Sequence, residues 1–232
     1  MRLASVLGDS ISTFEGYTSP GYAVYYDRAT RERNGLKSVY DVWWAAVIQA
    51  MGAYLGANDA FSGSRVTGTA FPAATDPRRI EGLTGAYGAP TDILVYLGMN
   101  DFGYGVPLRK KRSLFAGEDL TVFEDAYVHL LKALKQKYPE ANIICGTVMR
   151  TSLRGRSEWQ FPVNSRGLPI EDYNQVIRDA ALRHRCPLAD LGASSLRYET
   201  LDGTHPTAEG HRTLALAWID CLGQMGLLPE SG

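Results

Sequence analysis

Four short polar blocks in this 232-residue chain hold the residue types of nucleophilic acyl chemistry. They are Gly8-Asp9-Ser10, the segment from Asn58 through Gly63 to Ser64, Gly98-Met99-Asn100-Asp101, and Asp202-Gly203-Thr204-His205. A serine hydroxyl is a poor nucleophile until a neighbouring base takes its proton, and histidine is the side chain whose ordinary pKa suits that task near neutrality. Ser10 and His205 supply such a pair, and Asp202, three residues before the histidine, supplies a carboxylate to orient the imidazole. Charge that builds on an attacked carbonyl oxygen needs donors already in place. The backbone amides of Ser10 and Gly63 and the side-chain amide of Asn100 can provide three. Glycine at 63 has no Cβ to block close approach of the backbone to a ligand. Gly-Asp-Ser by itself is equally an ordinary turn, since each residue favours turns for its own backbone reason. Its chemistry therefore depends on the fold bringing the other blocks to it.

Short apolar runs alternate with helical patterns along the whole chain. Strand candidates are Arg2–Leu7, Tyr54–Asn58, Asp92–Gly98, Asn142–Val148 and Pro187–Leu191. "DILVYLG" and "NIICGTV" are continuously apolar rather than alternating, as parallel strands buried on both faces are. Apolar stripes at helical spacing cover Val39 to Ala50, with Ser38 as N-cap, then Leu120 to Leu134, stopped by Pro139, and Ile170 to Ala180. A last helix is expected from Pro206 to Met225, with the proline in its first turn. Such alternation predicts one doubly wound α/β domain spanning residues 1–232. Ligands in these sheets bind outside the carboxyl ends of the strands, and the four blocks follow the first, second, third and fifth strand candidates.

The ordered set Gly-Asp-Ser, Ser-Gly, Gly-x-Asn-Asp and Asp-x-x-His resembles the SGNH hydrolases, also called the GDSL esterase/lipase family. The match runs from Gly8 to His205 in the family's order, and the opening "GDSISTFEGYTSPGYAVYY" resembles a bacterial branch of unassigned substrate. This resemblance implies a flavodoxin-like, three-layer α/β/α fold around a central, mostly parallel five-stranded sheet. It also implies hydrolysis of carboxylic esters through an acyl-enzyme on Ser10, with His205 as base and Asp202 as its orienter. Ser10, Gly63 and Asn100 would form the oxyanion hole, and Asp9 and Asp101 would hold its loops. Met99 stands where the family usually has threonine. Loop composition and the family's breadth point to a short acyl ester, such as acetyl on a carbohydrate. The alternatives are a thioesterase or lysophospholipase with a longer acyl pocket, and a glycan-binding module without turnover.

Other classes find little support. A net charge of −1 exerts no global pull on nucleic acid or anionic membrane, and no run reaches the roughly 18 apolar residues of a membrane span. No signal peptide precedes the first strand candidate, which points to the cytoplasm. Cys145, Cys186 and Cys221 are odd in number and lie in apolar stretches, so all three are expected in the core. There is no G-x-S-x-G elbow, and "GYGVPL" at Gly103–Leu108 lacks the last glycine of a dinucleotide fingerprint. No metal and no cofactor are expected, because nothing with ligand spacing joins Asp202, His205 and His211. His129, His184 and His211 are expected on helix surfaces. Aromatics crowd the irregular segments: Tyr17, Tyr22, Tyr25, Tyr26, Phe102, Tyr104, Trp159 and Phe161 would either pack the loops or stack on sugar rings, and Tyr17, Phe102, Tyr104 and Trp159 are the candidate substrate contacts. Basic residues in Leu108–Arg112 and at Arg150, Arg154, Arg156 and Arg166 are expected to form a solvated surface, the alternative being that they attract an anionic or polyhydroxylated substrate.

Overall fold

A computed structural model describes residues 1–109, 117–156, 158 and 161–229. In chain order its elements are β1 (Leu3–Gly8), α1 (Arg28–Arg33), α2 (Trp43–Ala50), β2 (Tyr54–Ala60), α3 (Pro77–Glu81), β3 (Asp92–Tyr96) and α4 (Met99–Gly103). There follow α5 (Phe123–Lys137), β4 (Asn142–Gly146), β5 (Thr151–Leu153), α6 (Ile170–His184), β6 (Leu188–Ala189), β7 (Tyr198–Thr200) and α7 (Ala208–Gln224). One sheet has the order β2-β1-β3-β4-β6, with every pairing parallel. β1 and β3 are buried along their whole length, as a sheet covered on both sides requires. α2 packs with α7 and α5 with α6, which makes the three-layer α/β/α sandwich. From β1 the chain goes to β2 on one side and then crosses to β3 on the other. The switch point, where such sheets bind ligands, thus lies between the ends of β1 and β3. No helix among the described residues is long and apolar enough to cross a membrane.

All five strand candidates pair as expected, with shifted ends: β2 continues through Asn58 and Asp59 to Ala60, and β3 stops at Tyr96. The helical stripes are also present, although Ser38 caps a single 3₁₀ turn at Val39–Asp41 ahead of α2. Pro206 is not in the first turn of the last helix. Thr207 is the N-cap, its Oγ1 accepting from Gly210 N–H, and Pro206 instead bridges to Thr200. β5 and β7 form a second, two-stranded parallel sheet that the sequence reading lacked. Three-residue strands are too short to show a period. As a consequence the Asp202 block follows β7, not the fifth strand of the main sheet.

Trp43 of α2 stacks on Trp218 of α7, with ring centroids 5.2 Å apart, and Tyr96 of β3 meets Trp43 edge-on. Cys145 and Cys186 are buried as expected and Cys221 is half-buried. His211 corrects the sequence reading: it is fully buried rather than on the helix surface, and its Nδ1 accepts the Trp43 backbone N–H at 3.3 Å. Burial, with the charge of His205 adding to it, lowers its pKa from 6.5 to about 3. With the folded pKa below the unfolded one, the unfolded chain takes up a proton that the folded chain refuses. Stability is therefore lost as pH falls from 6.5 toward 3. Between pH 7 and pH 5 this group should cost about 2 kcal/mol. In urea melts, His211→Gln should lose about that much less than wild type over the same interval; equal losses would disprove the assignment.

Candidate active site

The turn after β1 is built by its own side chains. Asp9 caps the 3₁₀ turn Ser10–Ser12, its Oδ1 accepting from Ile11 N–H at 3.0 Å. Thr13 Oγ1 donates to Ser10 O at 2.9 Å. A Cβ on Gly8 would fall 2.5 Å from Ser12 Oγ, so only glycine lets the turn close this tightly. Ser10 is left at the sheet rim, at the end of β1.

The Asp202 loop hangs from the small sheet. Thr151 Oγ1 donates to Gly203 O at 2.7 Å, Gly203 N–H donates to Thr200 Oγ1 at 3.0 Å, and Tyr198 OH donates to Thr204 O at 3.0 Å. Asp202 Oδ1 accepts the backbone N–H groups of Thr204 and His205, at 2.9 and 2.8 Å. Its Oδ2 lies 2.7 Å from His205 Nδ1, and His205 Nε2 lies 2.9 Å from Ser10 Oγ. Burial works to raise the Asp202 carboxyl, but the His205 side-chain and backbone hydrogen bonds outweigh it and hold the group well below the carboxylate range. An ionised carboxylate, an oriented imidazole and a hydroxyl in line can draw the proton off the serine oxygen.

The three expected oxyanion donors differ in how they are engaged. Gly63 has φ +80°, a left-handed conformation that glycine adopts without strain. Neither the Ser10 nor the Gly63 N–H has an acceptor among the described residues. Asn100 Nδ2 is already engaged, donating to Ser64 O at 2.9 Å and to Asp9 Oδ2 at 3.2 Å. Asp101 accepts Val66 N–H, Thr67 N–H and Thr67 Oγ1–H, which ties α4 to the loop after β2. Burial pushes the Asp9 and Asp101 carboxyls up to about 6, against the lowering pull of the N–H groups they accept. Both aspartates hold loops, as the family resemblance implied.

A model of the GDSL-like Lipase/Acylhydrolase family matches residues 2–159. The chain belongs to this family. It is an ester hydrolase, and Asp202 and His205, which lie beyond the matched stretch, are brought to Ser10 by the fold alone. A solved structure described as a GDSL-like lipase from Bacteroides ovatus is 24% identical, with a TM-score of 0.72, and the match covers 97% of this chain and 99% of that one. Another so described, from Bacteroides uniformis, is 25% identical, with a TM-score of 0.72 and coverage of 97% and 96%. A family two carbohydrate esterase from Clostridium thermocellum, solved in complex with cellohexaose, shares the fold at 19% identity and a TM-score of 0.56, over 98% of this chain and 65% of that one. Comparison with curated proteins found no match.

Beside Asn100 this GDSL-like hydrolase has a cavity of about 420 Å³. Phe102, Tyr104, Phe161 and Val163 give it an apolar side, and Asn164, Ser165 and Thr204 a polar one. Of the candidate substrate contacts, Phe102 and Tyr104 are in this lining. Tyr17 is not: it packs against Phe14 and Trp44 and lines a different cavity, between α2 and the β2 edge. Trp159 and residues 110–112 lie outside the described residues. Among the described residues, three of these arginines are held by other partners. Arg109 pairs with Glu124 and Asp179, Arg154 pairs with Glu199, and Arg166 donates to Gly105 O. Tyr25, expected on this rim as loop packing or a sugar contact, lies against His205, and Arg79, which the sequence reading did not single out, is buried behind the turn.

Proposed function

We propose that this hydrolase removes short, acetyl-type acyl groups from acylated carbohydrate through an acyl-enzyme on Ser10, within one domain spanning residues 1–232. The observation that carries the reading is the unbroken chain Ser10 Oγ, His205 Nε2, His205 Nδ1, Asp202 Oδ2, with spacings of 2.9 and 2.7 Å. His205 takes the Ser10 proton as Oγ attacks the ester carbonyl. The oxyanion is received by the Ser10 and Gly63 N–H groups and by Asn100 Nδ2, turning from Asp9. Collapse of the tetrahedral adduct breaks the bond to the alcohol oxygen, which leaves with the proton from His205. Water then attacks the acyl carbon, giving a proton to His205, and collapse of this second adduct breaks the bond to Ser10 Oγ, which takes that proton back as the acid leaves.

The mixed lining of the cavity beside Asn100 supports a sugar: aromatic faces suit the C–H faces of a pyranose, and Asn164, Ser165 and Thr204 suit its hydroxyls. That the same fold serves a carbohydrate esterase in C. thermocellum is in keeping with this. The free thiols of Cys145, Cys186 and Cys221 support a cytoplasmic location. The test is a p-nitrophenyl ester series from acetate to octanoate, with Ser10→Ala as background. Acetate should turn over fastest in wild type. A preference for octanoate would replace the short-acyl reading with a lipid or thioester one. Rates equal to Ser10→Ala throughout would overturn the site itself.

A further inference from the structure

We propose that Tyr25 is a positioning residue of the hydrolytic site, holding the Asp202–His205 pair in register with Ser10. This rests on the roles given above to those three residues. The Tyr25 ring stacks on the His205 imidazole, with centroids 3.5 Å apart and planes 9° from parallel. Its hydroxyl donates to Asp202 Oδ2 at 2.9 Å, the same oxygen that faces His205 Nδ1. One side chain therefore touches both the acid and the base.

Its backbone is tied to the nucleophile. Tyr25 N–H donates to Thr13 Oγ1 at 2.9 Å, and that hydroxyl donates to Ser10 O. Its neighbour completes the clamp: Tyr26 packs edge-on against Tyr25 at 4.9 Å, and its OH donates to Pro206 O at 2.7 Å, directly after His205. The Tyr25-Tyr26 pair thus joins two segments whose reacting residues lie 195 positions apart in the chain.

The site needs such a clamp because its acid and base are not deeply buried. The Asp202 side chain is 37% exposed and that of His205 17%. Water competing for Asp202 Oδ2, or a small rotation of the imidazole, would break the line to Ser10 Oγ. Tyr25 fills the hydrogen-bond position that water would take and fixes one face of the imidazole. When the imidazole becomes a cation during attack, the electron-rich face of the phenol lies against it.

The experiment compares Tyr25→Phe and Tyr25→Ala with wild type and Ser10→Ala. The readouts are kcat and KM on p-nitrophenyl acetate, the rate of Ser10 phosphonylation by a fluorophosphonate, and Tm. Tyr25→Ala should lower kcat and the phosphonylation rate together, by about 10- to 30-fold, a part of what acid–base catalysis contributes. KM should stay within about twofold. Tyr25→Phe keeps the stacked ring and loses one hydrogen bond to a charged group, so it should recover most of the loss and remain about threefold slow. A rise in KM at unchanged kcat would make Tyr25 a substrate contact and overturn the proposal. So would a fall in Tm with both rates unchanged. If wild type is no more active or reactive than Ser10→Ala, the hydrolytic site itself has failed, and the role of Tyr25 with it.

Discussion

His205→Ala is expected to lower kcat on p-nitrophenyl acetate by about 10⁴- to 10⁶-fold, and adding Ser10→Ala to it should lower the rate hardly further. The two groups are expected to act as one unit because Nε2 lies 2.9 Å from Oγ. Without the imidazole the hydroxyl keeps its proton and is a poor nucleophile, and without the hydroxyl the imidazole has nothing to activate. Each single variant should keep the residual catalysis that the Ser10, Gly63 and Asn100 donors and substrate binding provide, about 10³-fold over water. Asp202→Asn should cost about 10⁴-fold by another route. An amide can still accept the Thr204 and His205 N–H groups on its oxygen, so the loop should hold. Its nitrogen would then face Nδ1 and force the imidazole proton onto Nε2, pointing a donor instead of a lone pair at Ser10. The deciding comparison is the double variant. Losses that multiply, or a His205→Ala enzyme retaining a tenth of wild-type kcat, would exclude a coupled serine–histidine pair.

The site was legible to the extent that it lies at ends of strands with strong apolar runs. β1 and β3 are buried on both faces, and their sequences could be placed without coordinates, so Ser10 and Asn100 fell on one rim by topology alone. Asp202 and His205 reached that rim through motif order. Their actual support, the β5 and β7 pair, consists of segments too short for periodicity to show. His211 had a signal that was passed over: with Leu214, Ala215, Trp218 and Leu222 it falls on one helical stripe, and all five are buried. Tyr25 had none. Its place is set by hydrogen bonds that it donates to Thr13 and Asp202, and loop conformations of that kind leave no pattern in neighbouring residues. The helix carrying Arg79 could be read from Asp76 as N-cap and Pro77 in the first turn. The burial of the arginine could not, because charged residues are rarely found fully inside unless paired.

That arginine should be the most costly residue to replace outside the relay. Arg79 and Asp59 are both completely buried and form an ion pair. The guanidinium also donates to Gly8 O at 3.0 Å, Asp59 O at 2.7 Å, Ser64 Oγ at 2.7 Å and Pro72 O. These acceptors lie on the segment before Ser10, on β2, beside Gly63 and on the loop beyond it, so one side chain joins the strand exits that carry the expected oxyanion donors. Planar geometry with five donors makes this possible, and lysine cannot reproduce it. Arg79→Met would leave the Asp59 carboxylate and several carbonyls buried without their partner, and a loss of about 3–5 kcal/mol is expected in urea melts at pH 7. Arg79→Lys should fall between the two, keeping the charge but not the fork. Adding Asp59→Asn to Arg79→Met should recover part of the loss by removing the stranded charge, though not the part owed to Gly8 O and Pro72 O. An Arg79→Met protein within about 1 kcal/mol of wild type would mean that water reaches this site and that the rim is held by something else.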